Sequence, residues 1–429
     1  KPSSSTFNII GLLVVFVLLC YLMAAFLLTK SLQASSKPAG EPLSPDKSGP
    51  LSSLVKEQDV MLQPRGAAVL KQAGLRRASI LTGSSNKAGG ANYLDYLINL
   101  AQLPATDLRQ KLEQEDVFQT ASLMDACPFT DDTDVPPWLP PAPSKKPTDP
   151  FVWYEHVSKA GGTSFCELAQ HNMIKSKIPP YYCMPRDEEF KPTDPDGRVG
   201  RWSNAKLGRY RANHGRIRLV SNEWQPFPSE RLALSDLLLV TTIRDPLDRL
   251  MSAYHFWGVL HNQAAVKPTF TEWLHRILKR SLNKDPQDWD FAVHIGRYNF
   301  VTWKFSNGTM PQGKVGSLKE LPEAVPTEDA SLWLKPFSEA VTNLAKFDVV
   351  LILEIMSSHS KNMLTTSLGW TDFEKSHVVP SGKVENNHAN AALSPPEYDL
   401  LWEANRFDMI LYHWMKAVHL VRLQCPTLA

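Results

Sequence analysis

Residues 151–165 read FVWYEHVSKAGGTSF, and the order of residue types in them is that of a βα unit. The first seven, FVWYEHV, are mostly aromatic or β-branched and predict a strand. SKAGG supplies a polar, glycine-containing turn, and the apolar period of a helix starts just beyond it. The same order returns in LLLVTTIRDPLDRLMSAYHF, residues 237–256, where a strand over 237–243 meets a charged turn and Pro246 suits the first helical turn. FDVVLILE, residues 347–354, predicts a third strand, apolar on both faces as buried parallel strands are. Residues 151–425 therefore predict an α/β domain with a mainly parallel central sheet flanked by helices, closing on a helix over 396–420. No internal repeat is visible.

Upstream, PPWLPPAPSKKPTDP, residues 136–150, predicts a stiff, extended spacer that no helix crosses, with the folded domain beginning just beyond it. Residues 93–124 place apolar residues three and four apart and predict short amphipathic helices, either docked on the domain or pairing two chains in a homodimer. Residues 30 to about 90, rich in Ser, Pro, Gly, Ala and Lys, have the composition of a flexible stem. FNIIGLLVVFVLLCYLMAAFLL, residues 7–28, is uncharged and 22 residues long, enough for a transmembrane helix. A cleaved signal peptide has a shorter apolar stretch. The expected layout is a short cytosolic tail at 1–6, an anchor at 7–29, a stem and linker at 30–150, and a luminal domain at 151–425.

The chain has 429 residues with 46 basic against 44 acidic side chains, a net charge of +2. No overall field points to nucleic acid or to an anionic membrane surface, so any anion site must be local. Of five cysteines, Cys20 lies in the apolar span; Cys127, Cys166, Cys183 and Cys425 permit two disulfides in three possible pairings. None has zinc-site spacing, so no metal is expected. Asn307-Gly308-Thr309 is an N-glycosylation sequon if this region is luminal.

Two constellations carry chemistry. In HVSKAGGTSF, His156 to Phe165, the glycines let backbone amides point inward at a helix start and Lys159 adds a mobile cation, which together favour an anion. The lysine precedes the glycines, unlike a Walker A loop. In the second, Arg244 ends a strand and Ser252 lies on the second turn of the following helix, so both could converge on one phosphate. The competing reading is a salt bridge that caps the helix, formed by Asp245 or Asp248 with Arg249.

Together, in this order and about 85 residues apart, the motifs resemble those of the PAPS-dependent sulfotransferases (PAPS is 3′-phosphoadenosine-5′-phosphosulfate). The likeness is to the Golgi carbohydrate branch that includes heparan sulfate 2-O- and galactose 3-O-sulfotransferases. KAGGTS is similar to that family's 5′-phosphosulfate loop and IRDPLDRLMSAY to its 3′-phosphate motif; residues 347–370 and 407–418 extend the similarity. The resemblance implies a P-loop-like sulfotransferase fold, PAPS as cosubstrate without a metal, and a carbohydrate acceptor. It also implies a single-pass type II protein of the Golgi membrane.

By position, the resemblance assigns Lys159, Ala160, Gly161, Gly162, Thr163 and Ser164 to the 5′-phosphosulfate, and Arg244 and Ser252 to the 3′-phosphate. Lys383, in the polar loop 381–390, is a further candidate contact to the nucleotide. His214 is the expected base, with His156 and Glu167 as other candidates; where some relatives carry a second histidine this chain has Arg216. Arg216 or Arg218 could bind an acidic substrate, and Glu354 could orient substrate or Lys159. Trp202, Trp224, Trp257 and Trp289 are possible sugar platforms, though most tryptophans pack in cores. The alternatives are a tyrosylprotein or small-metabolite sulfotransferase, a P-loop kinase, or a non-catalytic luminal binding protein.

Overall fold

The computed structural model describes residues 93–129, 135–143, 150–185, 198–262, 264–282, 295–296, 298–309, 331–373, 389, 393–425 and 428. The apolar runs form strands β1 (Phe151–His156), β2 (Leu219–Asn222), β3 (Leu237–Ile243) and β4 (Val349–Ile352). They make a four-stranded, all-parallel sheet in the order β2-β1-β3-β4. β2, just four residues long, was not anticipated.

Helices cover both faces. In chain order they are α1 (Tyr93–Ala101), α2 (Ala105–Arg109), α3 (Thr120–Asp125), α4 (Gly162–Asn172), α5 (Asn204–Asn213) and α6 (Pro246–Ala253). Next come α7 (Phe270–Leu282), α8 (Phe300–Phe305), α9 (Ser331–Leu344), α10 (Met356–Leu368), α11 (Pro395–Ala404) and α12 (Arg406–Gln424). Side chains of a strand alternate between faces, which divides the core. Phe151, Trp153, Leu237, Leu239 and Ile352 lie in one cluster with α6, α8, α9 and α12. Val152, Tyr154, Leu238, Val240 and Leu351 lie in the other with α4 and α10.

Two expectations need correction. A single helix over 396–420 is in fact α11 and α12, broken at Asn405. The Asn405 amide nitrogen donates to the Leu401 carbonyl while its Oδ1 accepts from the Asn299 amide, so the side chain competes with the helical ladder. Nor does the folded unit begin after residue 150: a compact unit runs from Asn86 to Ala429. Leu97, Leu108, Leu112, Phe118, Leu123 and Trp138 are buried in the same core as the sheet. The Trp414 indole donates to the Trp138 carbonyl, Tyr93 stacks on Trp414, and Cys127 is disulfide-bonded to Cys425. The helices foreseen over 93–124 therefore dock on their own chain. Cys166 pairs with Cys183, which resolves the three possible connectivities.

Among the described residues no helix is long and apolar enough to cross a membrane. The expected tail, span and residues 30–92 lie outside them.

Candidate functional site

The strand order determines where a ligand can bind. From β1 the chain leaves toward β2 and from β3 toward β4, so the connections diverge at the carboxyl ends of these two central strands. A crevice opens at such a switch point in parallel sheets. The loop of Lys159 follows β1 and the turn of Arg244 follows β3, which brings both to this place.

The first loop is held in an unusual conformation. Ala160 N donates to the Val157 carbonyl at 3.1 Å, and Lys159 takes a left-handed φ of 66°, as does Gly161 at 86°. A lysine in this region is strained, and such strain is concentrated at functional sites. Gly161 is required for space as well as conformation, because a Cβ there would sit 2.7 Å from Leu353 Cδ1. At Gly162 a Cβ would come within 1.9 Å of His156 Nε2. Gly161 is the N-cap of α4 and provides no side chain to cap it, so the positive end of the helix opens on the loop. Ala160 is buried, Ser164 half-buried and Thr163 exposed on this turn.

The second turn is built differently. Asp245 closes the start of α6 itself, accepting from the amides of Leu247 and Asp248, both at 2.9 Å. Glu354 accepts from the Asp245 amide at 2.9 Å and bonds the Tyr412 hydroxyl, so its carboxyl braces this turn rather than Lys159. Burial raises the pKa of both carboxyls, that of Asp245 to about 6. Arg249 is turned away from the site: it is buried, donates to the Ile295 carbonyl and stacks over Phe300. The capping salt bridge weighed for Arg249 is thus not the arrangement found. Arg244 stays half-buried and donates to the Lys159 carbonyl at 3.3 Å, joining the two motifs. Ser252 is half-buried two turns along α6.

Lys159 Nζ lies 3.9 Å from the centre of the Phe256 ring, on the π-helical continuation of α6. Burial lowers its pKa to about 8; Arg244 acts in the same direction, and Glu223 opposes both. His156 is buried, which lowers its pKa, and its Nδ1 is 3.6 Å from Glu223 Oε2. It supports the glycine loop from below.

Glu223 was not singled out from sequence. It follows β2 immediately, and since Asn222 pairs with Glu155, it stands level with His156 at the carboxyl end of β1. The turn around it is pinned from inside the protein. Lys304 Nζ donates to the carbonyls of Asn222, Glu223 and Gln225 and forms a fully buried ion pair with Glu155 at 2.7 Å. Trp153 and Asn222 complete the hydrogen bonds of the Glu155 carboxylate. Burial raises the pKa of Glu155 while Lys304, Trp153 and Asn222 hold it down. The available signal was SNEW, a strand ending on a carboxylate.

His214, by contrast, is exposed at the end of α5 on the far side of the sheet. Arg218, four residues on, accepts from the amide of Val152 at the opening of β1. The length of β1 separates the two ends, about 16 Å at ~3.3 Å per residue. The structure therefore does not bring His214 or Arg216 to Lys159, and Arg218 is equally remote. Glu167 is half-buried on α4, and Lys383 lies outside the described residues. Of the tryptophans, Trp202 is buried in the core, Trp257 is 37% exposed beside Phe256, and Trp289 lies outside the described residues. Trp224 lines a shallow, open surface cleft with Met184, Pro185, Arg198 and Glu223. Among the described residues no group of three or more His, Cys, Asp or Glu side chains could hold a metal ion. Neither a protein-family model nor a curated protein matches the chain.

Proposed function

We propose that the chain is a PAPS-dependent sulfotransferase that transfers a sulfuryl group to a carbohydrate hydroxyl. What carries this reading is the juxtaposition of a strained lysine–glycine loop and an arginine turn, joined through the Arg244–Lys159 hydrogen bond at the switch point of a parallel sheet. The residues suit the nucleotide. Left-handed Gly161 and side-chain-free Gly162 let the loop close tightly over Leu353 and His156 at the start of α4, and Lys159 stands beside them as a cation for an anion bound there. Arg244 and Ser252 offer a second, separate anion subsite, as a 3′-phosphate requires and ATP does not.

When bound, PAPS supplies an activated sulfuryl group. Lys159 would then stabilise negative charge on the bridging oxygen, while the α4 amides hold the phosphosulfate in position; orientation and fixed charge do most of the work in such transfers. The P-loop-like character of the fold belongs to this reading. So does a Golgi location with anchoring through residues 7–29, and the two disulfides agree with an oxidising compartment.

The test is thermal stabilisation of the purified chain by adenosine 3′,5′-bisphosphate, compared with ADP and ATP. At 100 times its dissociation constant the bisphosphate should add about 2.7 kcal/mol, and Arg244→Ala should abolish the effect. An equal response to ATP, or none in a folded wild-type chain, would overturn the assignment in favour of a kinase or a non-catalytic protein.

A further inference from the structure

Resting on the nucleotide site above, we propose that the cleft bordered by Trp224 is the acceptor site and that Glu223, at its inner end, is the base that takes the proton of the acceptor hydroxyl. The acceptor is a saccharide.

Three independent features meet here. First, Glu223 is the carboxylate whose charge acts on Lys159, and it is 3.6 Å from His156, which lies beneath Gly162. Its side chain keeps 16% of its surface exposed. A group at this place lines the cleft and is near enough to Lys159 for its charge to act on it. Second, the backbone of the Asn222–Gln225 turn is held by Lys304 and Asn222, so Glu223 extends from a fixed frame. A buried ion pair is a poor way to gain stability but a good way to hold such a frame. Third, the turn that leads into the cleft residues Met184 and Pro185 is strained. Tyr182 and Cys183 both have left-handed φ values, 47° and 58°, and sit between the bridged residues Tyr181 and Met184. Cys183 is tied to Cys166 of α4, the helix that opens at the glycine loop, and its carbonyl accepts from Ser221 of β2. This turn leaves the Tyr182 ring 47% exposed, edge-on to Tyr181, which in turn meets Trp224 of the cleft edge-on.

An exposed aromatic face beside a carboxylate suits a sugar, whose C–H face packs on a ring while its hydroxyls reach polar groups. In the reaction the acceptor oxygen forms a bond to sulfur as the bond from sulfur to the bridging phosphate oxygen breaks. The electron pair of that bond stays on the bridging oxygen near Lys159. Glu223 receives the hydroxyl proton and later releases it to water. His156 acts as a positioning residue for Glu223.

The experiment uses the full chain, radiolabelled PAPS, a glycan array and an acidic tyrosine peptide. Wild type is expected to label glycans. On the best of these, Glu223→Gln should reduce kcat by about 10²–10⁴-fold, the range for loss of a general base, while bisphosphate binding stays within about threefold of wild type. Tyr182→Ala should raise the acceptor KM with little change in kcat, and His214→Ala should leave both unchanged. Bisphosphate binding by Glu223→Gln establishes that the variant is folded. Retention of more than a tenth of kcat in Glu223→Gln, or labelling of the peptide and no glycan, or of neither, would overturn this inference while leaving the nucleotide site intact. Failure of wild type to bind the bisphosphate would overturn both.

Discussion

Lys159 occupies a backbone conformation better suited to glycine, and burial of its ammonium, with Arg244 nearby, lowers its pKa from the ordinary 10.5 to about 8. The charge it offers an anion therefore fades as pH rises through 8, so bisphosphate affinity should fall between pH 7 and 9. Calorimetry across that range checks this, and the decline should be much flatter in Lys159→Ala. At Gly162 the constraint is steric. Gly162→Ala forces a methyl into His156 Nε2 and should destabilise the protein by about 1–3 kcal/mol, as overpacking does. Adding His156→Ala opens that space and should recover part of the loss in chemical denaturation. The glycines of this loop were legible in sequence as a turn. That one of them is flush against a histidine six residues earlier was not, because the contact depends on how the loop folds back over the end of β1.

At the scale of elements, the carboxyl end of β2 is organised by α8. Lys304 reaches from that helix into the sheet to bind three carbonyls and Glu155. The helix itself is fixed by Asp408 of α12, which accepts from the amides of Val301 and Thr302 at 2.7 Å. Removing one partner of a buried pair leaves the other charge unpaired. Lys304→Met should cost about 3–5 kcal/mol, and Glu155→Leu in the same chain should restore much of it. If the pair also holds Glu223 in place, the double variant should refold yet remain slow in sulfuryl transfer. β2 escaped the sequence reading because four residues, one of them Asn, show too little periodicity. The break between α11 and α12 escaped it because the helical period continues through Asn405, whose side chain is drawn off by Asn299.

For the molecule as a whole, residues upstream of the proline-rich run belong to the folded unit. A chain shortened to 151–429 would expose the surfaces that bury Leu97, Phe118 and Trp138, and should lose the cooperative unfolding transition that 86–429 retains. Cys127→Ser removes a crosslink that spans 298 residues and should cost about 2–5 kcal/mol. Acid should act in the same direction. Burial pushes His413 and His419 down to about 4, so below their unfolded value of 6.5 the unfolded chain takes up protons that the native state refuses. Their contribution to stability is complete above pH 6.5 and is lost as pH falls toward 4. Asp245, raised to about 6, offsets part of this. Thermal midpoints from pH 7 to 4 would show the balance.

Local order was enough to specify the βα units, the parallel sheet, and the two turns that Lys159 and Arg244 occupy. Strand propensity, glycine freedom and the position of proline act over a few residues and can be read along the chain. Which carboxylate or imidazole stands beside that lysine could not be read there. His214 and Glu223 are nine positions apart, yet they lie at opposite ends of one short strand. Only the pairing of β2 with β1, at Asn222 and Glu155, determined which of them faces the site. The same holds for Trp138 and Cys127, whose surroundings looked like linker until α12 packed against them. Contacts between residues distant in sequence follow from how sheet and helices close on one another, and no local pattern encodes them.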